Sequence, residues 1–299
     1  MSTTLTPSET AERDAFAQWV FQETTAAMEM LTVYVGVRLG LYRQVAESGP
    51  VSARDLSVRM ALDRRYVREW LEQQAVAGVL TVGDADLEPD ERRYALPAAH
   101  AEVLLDRDSL AHLGPCALAI PALSGAVPLL LDAFATGHGV PYAAYGADLR
   151  HFIAEINRPM FVNQLAAEWL TAAPDLVERL RARPPARVVD VGCGTGWSSL
   201  SLARAFPSID VHGIDLDPAS VEEARRNAMD AGLTDRVTFA CQDAAHPDLS
   251  GSFDLVTAFE TLHDMAHPVD ALTAMRTMLA PGGSVVVADE KVADRFTAP

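Results

Sequence analysis

Residue types able to do chemistry gather in the last third of the chain. Val188-Val189-Asp190-Val191-Gly192-Cys193-Gly194-Thr195-Gly196 runs an apolar strand into an acid and then into three glycines on alternate positions. Glycines there let the backbone turn sharply and leave no side chains between it and a ligand. The helix expected next, from about Trp197 to Phe206, points its first amides at whatever lies on that loop. A dinucleotide loop of the form G-x-G-x-x-G needs glycine at 197, and Trp197 stands there instead. Asp215 ends the strand pattern Val211-His212-Gly213-Ile214-Asp215, 19 residues past Gly196. A carboxylate there can accept hydrogen bonds from both hydroxyls of a ribose. Asp243 and Glu260 end two further apolar runs, Val237 to Asp243 and Phe253 to Glu260, and His263-Asp264 follows directly. Ligands of open α/β sheets lie outside the carboxyl ends of the strands, so these side chains share one neighbourhood, with His263 a candidate general base.

The G-x-G-x-G loop, the acid two residues before it and the ordered strands that follow resemble class I S-adenosylmethionine-dependent methyltransferases. Pro281-Gly282-Gly283-Ser284-Val285-Val286-Val287 matches that family's turn into strand five. The resemblance implies an α/β fold with a Rossmann-like sheet and S-adenosyl-L-methionine as cofactor. It places Asp190, Gly192, Gly194 and Gly196 at the cofactor, Asp215 on the ribose and Leu216 against the adenine. Asp243, with Ala244 beside it, falls at the adenine amine, and Glu260 helps to close the cofactor site. His263 matches the histidine base of the O-methyltransferases, although the family continues His-Asp-Trp and Met265 stands here. Plainer roles stay open: Asp190 could orient the loop backbone, and Asp215 could cap a helix. Asp243 could be an ordinary loop acid, and His263 a helix-start histidine at the pocket rim. Asp217 before Pro218 reads as a helix cap, and Asp264 as a cap for the helix before Pro268.

His263-Asp264-Met265-Ala266-His267 imitates the zinc pattern H-E-x-x-H. Two histidines four apart bind zinc only on a continuous helix. Pro268 pushes His267 towards extended backbone, and the glutamate base is missing, so no metal is expected.

These elements need a scaffold, and the front half reads differently. Phe16, Trp19, Val20, Glu23, Ala27 and Met30 share one helical face, which gives an opening helix from Glu9 to about Tyr34, with Gly36 and Gly40 at its exit. Ser52 with Asp55 forms a loose capping box for a short helix to Met60. Asp63 caps a second, whose inward stripe is Tyr66, Val67, Trp70, Leu71 and Gln74, ended by Gly78. Val79 to Val82 and Arg93 to Leu96 look like the two strands of a wing around an acidic loop. Helix, turn, helix and ribbon make a winged-helix arrangement, and a DNA-binding regulator is the rival function. Charge opposes it. Residues 1–100 carry 10 arginines against 15 Asp plus Glu, and the wing tip holds Asp84, Asp86, Glu88, Asp90 and Glu91. Phosphate would repel such a tip. The chain also resembles small-molecule O-methyltransferases whose winged-helix-like front domain dimerises and covers a neighbour's pocket, which implies a homodimer.

Residues 101–180 read as helical, broken at Gly137-His138-Gly139-Val140-Pro141. Tyr142, Tyr145, His151, Phe152, Phe161 and Trp169 could line a pocket for a flat acceptor or simply pack between helices. Asn157-Arg158-Pro159 could end one helix and start the next. Leu110 to Leu131 is apolar enough to raise a membrane span. Pro115, Pro121 and Pro128 interrupt it, though kinked spans exist; without a second span or flanking basic residues, helices buried in a domain interface are expected and no membrane. The division is 1–100 for the dimerisation domain, 101–180 for linker and lid, and 181–299 for the cofactor core.

The chain has 299 residues and a formal charge of −17, which argues against nucleic acid as a partner. Lys291 is its one lysine. Cys116, Cys193 and Cys241 show neither disulfide nor zinc spacing, and no signal peptide is visible, so a cytoplasmic setting is expected. The resemblance implies seven strands, and only about ten residues follow strand five, Ser284 to Asp289. Read that way, the sheet lacks its last two strands, leaves Val285-Val286-Val287 as an uncovered edge, and should be poorly soluble and weakly active. The function expected is methyl transfer to a small-molecule acceptor, most readily at oxygen. The rivals are a winged-helix regulator that keeps the cofactor fold as a sensor and a non-catalytic binding remnant.

Overall fold

The computed structural model describes residues 5–245, 249 and 251–297. They divide into two compact units, Met1–Val140 with Ala147–Phe152, and Pro141–Gly146 with Ile153–Pro299.

The first unit is helical. Helix α1 (Pro7–Arg38) opens with a complete capping box between Thr6 and Glu9. It runs four residues past the expected end, because a mid-helix glycine costs only about 1 kcal/mol and Gly36 makes a close contact there. A β-carbon on Gly36 would lie 2.5 Å from Tyr42 and 2.6 Å from Trp70. Among the described residues of α1 only Gly36 is buried. The apolar face read from Phe16, Trp19 and Val20 is exposed, so that stripe does not face this unit's core. Helices α2 (Leu41–Ser48), α3 (Ala53–Met60) and α4 (Arg64–Val76) build the core around Tyr42, Leu56, Trp70 and Leu71. Ser52 and Asp63 cap α3 and α4 as expected. Tyr66 departs from the inward stripe. It is 80% exposed, while Val67, Trp70, Leu71 and Gln74 are buried. It stands one position before Val67, about 100° round the helix.

Gln74 is buried because it is satisfied: its side chain meets the Tyr42 hydroxyl and Thr32, and the Trp70 indole donates to the Thr32 carbonyl at 2.9 Å. Strands β1 (Thr81–Val82) and β2 (Tyr94–Ala95) pair antiparallel, and Val51 bridges Tyr94. Helix α5 (Ala98–Leu105) follows, then α6 (Cys116–Thr136), with Pro121 and Pro128 inside it. By length and composition α6 could cross a membrane. Contrary to the buried helix expected, it hides Ala117, Leu118, Ala122 and Ala126 and exposes Leu123, Leu131 and Phe134. Helix α7 (Gly146–Met160) carries Pro159 within its last turn and continues into a π-turn at Phe161–Leu165, so Asn157-Arg158-Pro159 is no helix boundary.

The second unit is a parallel sheet. After α8 (Pro174–Arg181) come β3 (Ala186–Val191), α9 (Trp197–Ala205), β4 (Ile209–Asp215), α10 (Pro218–Asp230), β5 (Val237–Cys241), β6 (Phe253–Phe259), α11 (Pro268–Met278) and β7 (Leu279–Ala288). Spatial order is β5-β4-β3-β6-β7, all parallel. Strand β7 starts five residues before the expected Ser284 and slips register against β6, carrying Pro281-Gly282-Gly283 across the slip. Val285 and Val287 are exposed on it. Alternation sorts the core: Val188 and Leu255 pack with α9 and α10 residues, while Val189, Val191, Val256 and Ala258 pack with Met275 and Met278 of α11. The chain leaves β3 for β4 and β5 on one side, then returns to β6 on the other. The gap between the carboxyl ends of β3 and β6 is therefore the topological switch point, where open α/β sheets bind ligands.

Gly36→Ala should lower the stability of the first unit by about 1–3 kcal/mol through overpacking against Tyr42 and Trp70. Chemical denaturation followed by tryptophan fluorescence measures it, and an unchanged midpoint would contradict the close contact.

Candidate functional site

The crevice is built from three loops: after β3, after β4 and after β6. Gly192, at φ 67°, presses against the β6 loop so closely that a β-carbon would sit 2.1 Å from Thr261 Oγ1. A β-carbon on Gly196 would meet the Phe239 ring at 2.7 Å. Gly194 differs. It has φ 51°, and nothing lies within 4 Å of where its β-carbon would be. Two glycines of the loop are thus required by packing, and the third leaves an open cradle.

Asp190 is fully buried beneath the loop. It accepts hydrogen bonds from Ser198 Oγ at 2.5 Å, Ser199 Oγ at 2.6 Å and Thr257 Oγ1 at 2.8 Å. Burial pushes its carboxyl up, and the three hydroxyls pull against that shift. Both its oxygens hold the first turn of α9 and strand β6, so it orients the loop. Ser198, Ser199 and Thr257 escaped sequence reasoning, since small hydroxyl residues near a loop carry no distinguishing spacing.

Asp215 stands on the other wall. Its Oδ2 accepts from Gly194 N and its Oδ1 from Asp217 N, both at 2.8 Å. Burial raises its carboxyl and the two backbone bonds lower it, with a net rise. Each oxygen keeps a lone pair for a further donor. Asp217 caps α10 through Ser220, as the sequence indicates. Leu216 is 71% exposed at the crevice wall. Asp243 lies two residues past the end of β5 and accepts from Ala245 N at 2.9 Å, with Ala244 half-buried next to it.

On the β6 side, Glu260 adopts φ 50°, a left-handed conformation that a glutamate rarely takes. Its amide donates to Ala288 O at 2.8 Å, which ties the bend to β7. Burial and then the neighbouring Glu290 and Asp289 raise its carboxyl. His263 sits in a single 3-10 turn, Leu262–Asp264. Its Nδ1 is hydrogen-bonded to Asp289 Oδ1, and Asp289 Oδ2 accepts from Leu262 N at 3.1 Å. The hydrogen bond to Asp289 raises the imidazole above its ordinary 6.5, with burial opposing. Burial opposes ionisation of Asp289 too, but bonds from His263 and Glu290 N leave its carboxyl lowered. Asp264 does not cap the next helix. His267 occupies that position without a side-chain bond, and Asp264 Oδ2 instead lies 3.6 Å from His263 Nε2. His263 lies in the 3-10 turn and His267 at the cap of α11, so the two do not share one continuous helix. Ligand atoms of Glu260, His263 and Asp289 do lie within 4.8 Å of one another, a spacing that could hold a cation. Asp289 was missed as well; its signal was an acid directly after the apolar run Val285-Val286-Val287-Ala288.

Phe161, Trp169 and Phe259 form an aromatic cluster with centroids 5.9 to 6.2 Å apart, and Arg158 stacks 4.5 Å over Trp197.

This fold is a Rossmann-like α/β arrangement behind a helical unit. Residues 183–298 match the methyltransferase domain family, and residues 26–106 match the Rv2258c-like winged HTH domain. The chain is 34% identical to the ubiquinone biosynthesis O-methyltransferase of Ralstonia nicotianae, over 42% of this chain and 48% of that protein. It is 34% identical to the 27-O-demethylrifamycin SV methyltransferase of Amycolatopsis mediterranei, over 40% and 45%. The chain therefore spans about half the length of the curated relatives it matches. Among solved structures, the mitomycin 7-O-methyltransferase aligns with a TM-score of 0.70 at 22% identity, over 97% of this chain and 84% of that one. At that identity the likeness is one of fold. The chain carries a methyltransferase domain behind a winged helix-turn-helix domain.

Gly196→Ala should destabilise the second unit by about 1–3 kcal/mol, since Phe239 must move. Gly194→Ala should cost only about 1 kcal/mol of backbone strain, because its surroundings are open. Thermal unfolding of the two variants side by side reads the difference, and equal losses would contradict the open cradle.

Proposed function

We propose that this chain is an S-adenosyl-L-methionine-dependent methyltransferase acting on a small-molecule acceptor at oxygen. The open cradle at Gly194, with Asp215 bonded to its amide, carries the reading. The residues fit the cofactor: Asp215 keeps lone pairs for two ribose hydroxyls, Leu216 offers an exposed apolar surface to adenine, and Asp243 and Ala244 flank it. Gly192 and Gly196 fix the loop, Asp190 holds it from below, and Glu260 closes the far wall. When bound, the cofactor supplies a methyl group activated on a sulfonium, so the protein need only orient the acceptor and take its proton.

His263 is suited to that proton. Asp289 fixes the Nδ1 side of the ring and leaves Nε2 to act as base towards an acceptor hydroxyl. Phe161 and Phe259 are buried in the sheet's core with Trp169 packed against it, so that aromatic cluster serves packing.

The exposed apolar face of α1 supports a homodimer. Nucleic acid is not a partner in this reading: Arg64, Arg65, Arg68 and Arg92 of the winged-helix unit each lie within 4 Å of an acid, and the wing tip is acidic. The free thiols of Cys116, Cys193 and Cys241 suit a cytoplasmic setting.

Calorimetric titration should detect S-adenosyl-L-methionine and no NAD. Asp215→Ala should weaken binding by about ten- to a hundredfold, the worth of charged hydrogen bonds. Binding of NAD, or an Asp215→Ala titration like the parent's, would sink the reading. With an acceptor in hand, His263→Ala should slow turnover by about 10²-fold or more. The rate should rise with pH on a limb above 6.5, since the base must lose a proton that Asp289 holds on it. Asp289→Asn should move that limb down towards 6.5; a limb that stays in place would remove His263 from the role.

A further inference from the structure

Thr261 stands where a threonine usually caps a helix, at the N-terminal boundary of the 3-10 turn that carries His263. Its side chain makes no cap bond there. The amides of the turn are taken elsewhere: Leu262 N donates to Asp289 Oδ2 at 3.1 Å, and Asp264 N to the Thr261 carbonyl at 3.2 Å. The side chain is turned against the glycine loop instead, with Oγ1 nearest to the place a side chain on Gly192 would take. Among the described residues the hydroxyl meets no hydrogen-bond partner. Packing against a glycine asks only for bulk, which the methyls of a valine would supply equally. A half-buried hydroxyl that neither caps nor bonds is a donor and acceptor left for a group outside the protein.

Position in the crevice narrows down that group. On one side of the hydroxyl the glycine loop leads through Gly194 to Asp215, the ribose acid of the reading above. On the other, the same turn carries His263, the base for the acceptor. The sulfur of the cofactor bears three arms. The nucleoside belongs to Asp215 and the methyl group to the acceptor, which leaves the amino-acid arm for the wall at Gly192 and Thr261. That arm ends in an ammonium and a carboxylate, and a hydroxyl can serve either. Glu260, the preceding residue, is an acid, and its field favours a cation over a second anion. We propose that Thr261 Oγ1 accepts a hydrogen bond from the ammonium of the amino-acid arm and so orients that arm in the crevice. The inference rests on the cofactor reading and adds a binding residue to it. Sulfonium and thioether forms carry the same arm, so the contact serves both alike.

Titration calorimetry tests the contact without an acceptor, using S-adenosylhomocysteine, its analogue lacking only the amine, and methylthioadenosine, which lacks the whole amino-acid arm. Thr261→Val removes the hydroxyl and keeps the branched shape. It should weaken S-adenosylhomocysteine by about tenfold, the worth of one charged hydrogen bond. Thr261→Ser, which restores the hydroxyl, should bind within about threefold of the parent. The amine-free analogue and methylthioadenosine should bind the parent and Thr261→Val alike. A loss for the amine-free analogue as large as that for S-adenosylhomocysteine would overturn the inference, because the hydroxyl would then serve the carboxylate or the scaffold. An unchanged S-adenosylhomocysteine affinity in Thr261→Val would overturn it too, while leaving the cofactor reading intact. If the parent binds neither S-adenosylhomocysteine nor methylthioadenosine, both readings fall. Should Thr261→Val not fold, the parent decides: the amine-free analogue should bind about tenfold more weakly than S-adenosylhomocysteine, and equal affinities overturn the contact.

Discussion

The approach of Gly192 to Thr261 is the constraint on which the second unit's crevice depends. Strands β3 and β6 are neighbours in the sheet but far apart in sequence, and their loops turn away to opposite sides. At the point of divergence the Thr261 side chain comes so close to the Gly192 backbone that no side chain fits at 192. That contact joins the glycine loop to the turn bearing Glu260 and His263. Remove it, and the loop after β3 and the turn after β6 would no longer share a wall.

Around that contact, carboxylates of the same chemical type serve different purposes because their surroundings differ. Asp190 has no access to solvent and meets three hydroxyls, so it works as a structural anchor for α9. Asp215 is held by two backbone amides, of Gly194 and Asp217, which fix its carboxylate beside the glycine loop. Asp289 is half-buried and faces an imidazole, which makes it an orienting partner. Desolvation acts on each of the three, and the donors each one meets decide whether its carboxyl ends up raised or lowered.

The helical unit depends on a different kind of closeness. Gly36 admits the Tyr42 and Trp70 rings, and the buried Gln74 is tolerated because Tyr42 and Thr32 satisfy its amide. Most of α1 lies outside that packing. Its capping box and good helix formers specify the helix locally, while its apolar face finds no core within the unit. The arginines of α4, which a DNA-binding winged helix would turn to phosphate, lie beside Glu69 and Asp90 instead.

Local rules were enough to place much of this. Asp63 and Ser52 announce helices because their side chains cap amides within three residues. Glycines at 192, 194 and 196 announce a tight loop, and apolar runs ending in acids announce strands. All of these depend on neighbours in sequence. Periodicity also said which residues share a face, but not what that face meets: Tyr66 and the Phe16–Trp19–Val20 stripe turned out exposed. The pairing of His263 with Asp289 spans 26 residues and exists only because β6 and β7 are adjacent and end level. The different duties of the three glycines were equally invisible, since Thr261 and Phe239 reach them through strand order. Sequence fixes the groups and their local backbone; which distant groups meet is set by long-range packing, whose partners no short window contains.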